Sequence, residues 1–195
     1  MRPNLHIPDG FLAPEVSIAL WIATAVVIGV ALRRIATERT NAPARTVLMG
    51  IAGAFIFAAQ MFNFPVAAGT SGHLLGGVLA GVLLGPWAGS IVMATVIGIQ
   101  ALLFQDGGLL VLGANIFNMG VIGTLGGSLV ARGTSIALGG SQWSDIIGVG
   151  FAAWLSVIAA AGLTTLQLGI SGTTDIVLVS PRCLELTRSL VSVRH

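Results

Sequence analysis

The 195 residues contain no lysine, and all nine basic residues are arginines. A phosphate-binding P-loop needs a lysine on the nucleotide phosphates. This chain is therefore not expected to hydrolyse ATP itself. Charge of either sign is scarce: Asp, Glu, Lys and Arg make up 8% of the residues, against roughly a quarter in soluble domains. A surface so poor in charge would not stay in water. The net charge of +2 comes from a few scattered arginines, which form no basic stripe, so no nucleic-acid partner is expected. The lone cysteine, Cys183, cannot close an internal disulfide or build a Cys-rich metal site. No H-E-x-x-H motif is present, which leaves a zinc-protease reading without support.

What fills the chain is apolar. Hydrophobic residues make up 55%, and the mean hydropathy is +0.96. Residues 1–15, MRPNLHIPDGFLAPE, do not read as a cleavable signal peptide. Pro8-Asp9-Gly10 is a turn signal where an apolar run would be needed. Val16 to Ile35 is the first run long enough for a bilayer core, which takes about 20 residues. Arg33, Arg34, Arg39 and Arg45 follow in one short loop, and the positive-inside rule places that loop in the cytoplasm. The N-terminus is then outside. Further spans alternate: Thr46 to Ala68, His73 to Leu84, Trp87 to Phe104, Leu109 to Ala131 and Asp145 to Ile170. Residues 132–144 are expected to form a polar inner loop. Backbone groups in lipid must be satisfied within the segment. The expected fold is therefore all-α: a polytopic transmembrane bundle of six helices, with a remnant seventh as the alternative.

Alternation places His6, Asp9, His73, Gln105 and Asp106 on the same outer side. Nothing in the charge rule required the two histidines to meet. His195 stands at the end of the chain and is read as incidental. Imidazole suits Zn, Cu, Fe, Ni and Co alike. No Asp, Glu, Lys or Arg lies deep within a span, which argues against a proton-coupled pump. The polar groups inside are amides: Gln60, Asn63, Gln100, Asn115, Asn118 and Gln167. Hydrogen bonding between helices is one reading of them. The other is that the outer five orient metal ligands from a second layer, with Gln60, Asn63 and Asn118 the chosen candidates. Glycines four apart, at Gly77, Gly81 and Gly85 and at Gly123 and Gly127, read as close helix packing.

Five segments then carry a resemblance: HIPDGFL at 6–12, QMFNFPV at 60–66, GTSGHLLGG at 69–77, LLGPWAG at 83–89 and IQALLFQDGGLLVLGANIFNMG at 99–120. Together they resemble the CbiM/NikM family, the substrate-binding S components of cobalt and nickel energy-coupling factor transporters. The likeness is strong over residues 6 to 130 and weaker over 145 to 172. It implies a transmembrane S-component domain over 1–172, with a metal-binding turn at its N-terminus. It implies an extracellular site for Co²⁺ or Ni²⁺ as transported substrate, with no cofactor. Family ligands are the N-terminal amine, the backbone nitrogen and imidazole of a histidine at the second position, and the histidine of the GTSGH loop. Carried over, the histidines are His6 and His73. The implied partners are cytoplasmic ATPase subunits, a coupling transmembrane protein and a small accessory membrane protein. The implied place is the bacterial or archaeal plasma membrane. Family usage leans to cobalt, for cobalamin synthesis.

Two departures stand out. The family motif opens Met-His-Ile-Pro-Asp-Gly, whereas Met-Arg-Pro-Asn-Leu precedes His6 here. An amine on Met1 cannot close the same small chelate ring. Trimming to Leu5, or initiation there, restores it; an intact mass matching residues 1–195 excludes both. Residues 173–195 contain Asp175, Pro181, Arg182, Glu185 and Arg188, so they read as an atypical tail, either a surface amphipathic segment or a truncated final helix. The other function classes considered are a membrane channel, a structural membrane subunit without metal specificity, and a membrane enzyme. For the enzyme, Asp9 and Asp106 are available, but no paired carboxylate or Ser/His/Asp order is evident.

Overall fold

The computed structural model describes residues 6–37, 42–62, 64–66, 70–72 and 75–173. Asn63, His73 and the tail beyond Thr173 lie outside these residues. Helix α1 runs Pro14–Thr37 and α2 runs Ala42–Met61. A two-stranded antiparallel ribbon follows, β1 Phe64–Val66 against β2 Thr70–Gly72, with Phe64 opposite Gly72. Then come α3 Gly77–Leu84, α4 Pro86–Phe104, α5 Leu112–Ala137 and α6 Gln142–Ile170. Five of these helices are long and apolar enough to cross a membrane. The protein is a multi-pass transmembrane helix bundle.

Local chemistry sets the boundaries. Pro14 opens α1 with Glu15 in its first turn and Arg34 in its last, the order that the helix dipole favours. Gly85, at φ 82°, breaks the chain between α3 and α4, and Pro86 starts the next helix. The Ser141 side chain accepts from the Ser144 N–H and caps α6.

Three sequence expectations change in detail. The span expected over 73–84 is helical only from Gly77. At about 1.5 Å per residue its eight residues rise about 12 Å, under half of a hydrocarbon core of about 30 Å. The span expected over 46–68 stops being helical at Met61, where the ribbon takes over. The inner loop expected over 132–144 shrinks, because α5 continues to Ala137 and α6 begins at Gln142. Proline and glycine explain the first two changes. Pro65 and Gly72 interrupt the apolar run, and extended backbone replaces helix at both.

The centre of the bundle is α4 and α5. Half or more of each of their most apolar windows is buried, whereas α1, α2 and α6 bury at most 22%. The outer three present Ile22, Ile51 and Trp154 outward, as lipid contact requires. Within α5, residues Ile116–Gly126 wind as a π-helix. Short α3 packs along this stretch at glycine contacts. A Cβ on Gly77 would lie 2.6 Å from the Met119 carbonyl and 2.9 Å from the Gly123 Cα, and one on Gly81 2.7 Å from the Thr124 carbonyl. The bundle has two unlike ends. His6, Asp9 and Asp106 mark one. Arg33, Arg34 and Arg132 mark the other, where Arg34 lies 5.7 Å over the Trp87 ring.

The backbone contact at Gly77 predicts that Gly77→Ala destabilises the detergent-solubilised protein by about 1–3 kcal/mol. Gly29 has nothing within 4 Å of its would-be Cβ. Gly29→Ala should change stability by less than about 0.5 kcal/mol or raise it. Thermal unfolding of both variants checks this.

Candidate metal centre

Residues 6–13 form a strap that crosses the bundle end over the turn between α4 and α5. Ile7 and Leu12 anchor it in a small apolar cluster with Val111 and Ala114. Its polar fastening is more specific. The Ile7 N–H donates to Asn115 Oδ1 at 2.9 Å, and Asn115 Nδ2 donates back to the Ile7 carbonyl at 3.1 Å. The same carbonyl accepts the Gly108 N–H at 3.0 Å. The Asp9 carboxylate accepts the N–H groups of Leu109, Leu110 and Val111 at 3.0, 2.8 and 3.3 Å. These are donors ahead of the first turn of α5, where an anion is favoured.

The turn is built to let the strap approach. Gln105 ends α4 at φ 54°, and Gly107 follows at φ 102°. A Cβ on Gly107 would stand 2.8 Å from the His6 Cβ, and one on Gly108 would overlap Asp9. Glycine is needed at both positions for contact, not only for conformation. On the far side, α1 closes the strap's pocket. Trp21 Nε1 donates to the Leu110 carbonyl at 2.9 Å, and the Thr24 hydroxyl to the Gly113 carbonyl at 2.8 Å.

This fastening buries His6 to 1% exposure. Its Nδ1 lies 2.7 Å from the Asp106 carbonyl oxygen and 3.5 Å from Asp106 Oδ1. A carbonyl only accepts, so the short contact puts the hydrogen on Nδ1. In the neutral ring, Nε2 then carries the lone pair. Metal-binding histidines commonly donate their second N–H to a carbonyl or carboxylate in this way.

The other candidate residues divide. Gln60 is buried in the last turn of α2, beside Gly76. His73 and Asn63 fall outside the described residues. Asn118 lies one turn beyond Asn115, and its amide pairs with Gln167 in both directions, at 2.8 and 2.7 Å, with Thr164 at 3.3 Å. Its hydrogen bonds tie α5 to α6. Asn115, which the sequence offered only as one of several amides, is the residue that fixes the strap. Among the described residues no three His, Cys, Asp or Glu side chains cluster closely enough to hold a metal.

Asn115→Leu should remove both bonds to Ile7 and leave a buried N–H unsatisfied. A cost of about 1–3 kcal/mol is expected. Asp9→Ala should cost about 1 kcal/mol, as lost helix caps do. Hydrogen exchange at residues 6–12 reads both: faster exchange on the strap is expected, with α6 unchanged.

Comparison with known proteins agrees with this architecture. A family model described as the cobalt uptake substrate-specific transmembrane region matches residues 6–191. A protein of Haloquadratum walsbyi named for metal transport is 42% identical over 168 residues, which are 86% of this chain and 73% of that one. A protein of Archaeoglobus fulgidus named as the fused nickel transport protein NikMN is 38% identical over 167 residues, 86% of this chain and 53% of that one. This chain thus spans about half the length of the fused relative. A crystal structure of a truncated transition metal transporter superposes with a TM-score of 0.72 at 34% identity, covering 85% of this chain and 75% of that chain. The chain belongs to the CbiM family, membrane components of cobalt and nickel transport.

Proposed function

We propose that this chain captures Co²⁺ or Ni²⁺ at the outer membrane face as the S component of an energy-coupling factor transporter. The observation that carries the reading is the buried imidazole of His6, with Nδ1 on the Asp106 carbonyl. The ring is held by one nitrogen on a carbonyl, as metal-binding histidines commonly are. His73 supplies the second imidazole from the segment that follows β2. Gln60, Asn63 and Asn118 are the surrounding amides, with Gln60 packed beside Gly76. Arginines at the end opposite His6 support an outward-facing site and an N-terminus outside.

ATP hydrolysis falls to cytoplasmic ATPase subunits, since a lysine-free chain has no P-loop of its own. A coupling transmembrane protein and a small accessory membrane protein complete the proposed assembly. Cobalt is slightly favoured by family usage, although the Irving–Williams order favours nickel on affinity alone.

The His6 geometry bears on the donor set. An imidazole bound through Nε2 cannot close a small ring with its own backbone nitrogen. The amine-and-amide chelate implied by the family resemblance needs Nδ1 instead. A planar four-nitrogen Ni²⁺ complex is diamagnetic, whereas Ni²⁺ held by two imidazoles and oxygen donors is paramagnetic. Magnetic susceptibility of the nickel-loaded protein distinguishes them, and paramagnetism is expected.

Calorimetric titration of the full chain in detergent tests the function. One Co²⁺ or Ni²⁺ should bind per chain. His6→Ala and His73→Ala should each weaken binding by roughly 100-fold or more, at or beyond the upper end of what outer-layer changes cost. Binding undisturbed in both variants would sink the proposal.

A further inference from the structure

Five amide side chains are buried in the described helices, and three of them are fully engaged. Asn115 pairs with Ile7, and Asn118 pairs with Gln167. Gln60 and Gln100 differ. They are 1% and 0% exposed, and among the described residues no amide atom of either has a hydrogen-bond partner. Unpaired buried amides are rare and costly, so each needs a cause.

Their position supplies one. Gln60 and Ile56 lie one turn apart on the α2 face that meets Gly76; a Cβ there would stand 3.3 Å from Gln60 Nε2 and 3.5 Å from the Met93 sulfur. Met93, Ile97 and Gln100 follow one another along a single face of α4, at helical spacing. Gly120 of α5 meets that face at Met93 and Ile97. Gln60 and Gln100 each stand about one turn beyond Ile56 and Ile97, which belong to one apolar core. Beyond Gln100 lies the turn that holds His6. The Gln100 carbonyl accepts the Asp106 N–H at 3.1 Å, and Asp106 holds His6. Gly76 stands three residues after His73. Phe57 against Phe104, 5.3 Å between centroids, brings the ends of α2 and α4 together at this level.

We propose that Gln60 and Gln100 form the floor of the cation site, presenting their amide oxygens to the bound Co²⁺ or Ni²⁺ or to a water in its coordination shell. The inference rests on the metal-binding reading above and extends it to Gln100. Two neutral oxygens would orient the ion and replace part of its hydration without adding a buried charge. An ion so held is fixed by the imidazoles and is not trapped by a carboxylate.

The test uses the full chain in detergent with Gln60→Leu, Gln100→Leu and the double variant. Two quantities are read: Co²⁺ affinity by equilibrium dialysis, and the melting temperature without metal. The double variant should bind Co²⁺ about 10–100-fold more weakly. Its metal-free melting temperature should hold or rise, because an apolar side chain of similar size replaces an unpaired amide. Loss of affinity with gain of stability is the signature expected. Unchanged affinity overturns the proposal, and so does a melting temperature that falls along with affinity, which marks the glutamines as packing groups. His6→Ala keeps the two ideas apart: if it abolishes binding while the double variant binds normally, only the floor is wrong.

Discussion

Asn115 uses both ends of its amide on the backbone of a single residue, Ile7. In water such a pair contributes little, since solvent competes for every group. Here the Ile7 N–H is buried and its partner stands in the first turn of a membrane-spanning helix, so the alternative to the bond is an empty donor. That asymmetry pins an eight-residue strap to the bundle. Everything at the proposed site depends on it. His6 is the residue directly before the pinned peptide, and its imidazole reaches the Asp106 carbonyl because the strap cannot slide. Asp9 fixes the next turn of the strap against α5. The histidine's tautomer is thus set by an asparagine nine residues along α5 from the turn that it contacts.

The same need for satisfied backbone explains where the bundle departs from regular spans. Non-helical chain at membrane depth is tolerated only where protein covers it. The β1–β2 ribbon and the eight residues of α3 stand where one full span was expected, and α3 is sheathed by α4 and by the π-helical part of α5. Gly77, Gly81 and Gly123 make that cover possible by letting backbones meet without side chains between them. The site end therefore gains the ribbon of β1 and β2, while the opposite end keeps ordinary helix ends with arginines. A bundle of uninterrupted helices would offer no such segment.

The transmembrane class was legible because low charge and long apolar runs follow directly from the solvent. The turn at Gln105-Asp106-Gly107-Gly108 was legible from its composition, as were the breaks at Gly85-Pro86 and Pro8-Asp9-Gly10. The shortness of α3 was not, since an apolar run of twelve residues has the same hydropathy as half of a longer span. The separation of the amides was hidden too. Asn115, Asn118, Gln60 and Gln100 look alike in a hydropathy trace, and only three-dimensional packing shows that Asn115 holds the strap, Asn118 ties α5 to α6 and the glutamines have no partner among the described residues. Asp106 was seen as part of a turn, but its use of a backbone carbonyl on His6 has no sequence signature at all.

The sorting of amides and acids across the molecule follows one rule. Carboxylates occur where water or helix ends can share their charge: Asp9 and Asp106 on the strap and turn, Asp145 in the first turn of α6. Deep within the membrane-spanning helices, away from their ends, only neutral polar groups remain. A divalent cation entering such a protein meets fixed negative charge only at the surface and finds dipoles below. Binding strength then has to come from imidazole nitrogens, whose lone pairs favour late first-row metals over the calcium and magnesium that carboxylate cages select. Scarcity of charge, which first marked the chain as a membrane protein, would on the proposed reading also bias the site toward cobalt and nickel.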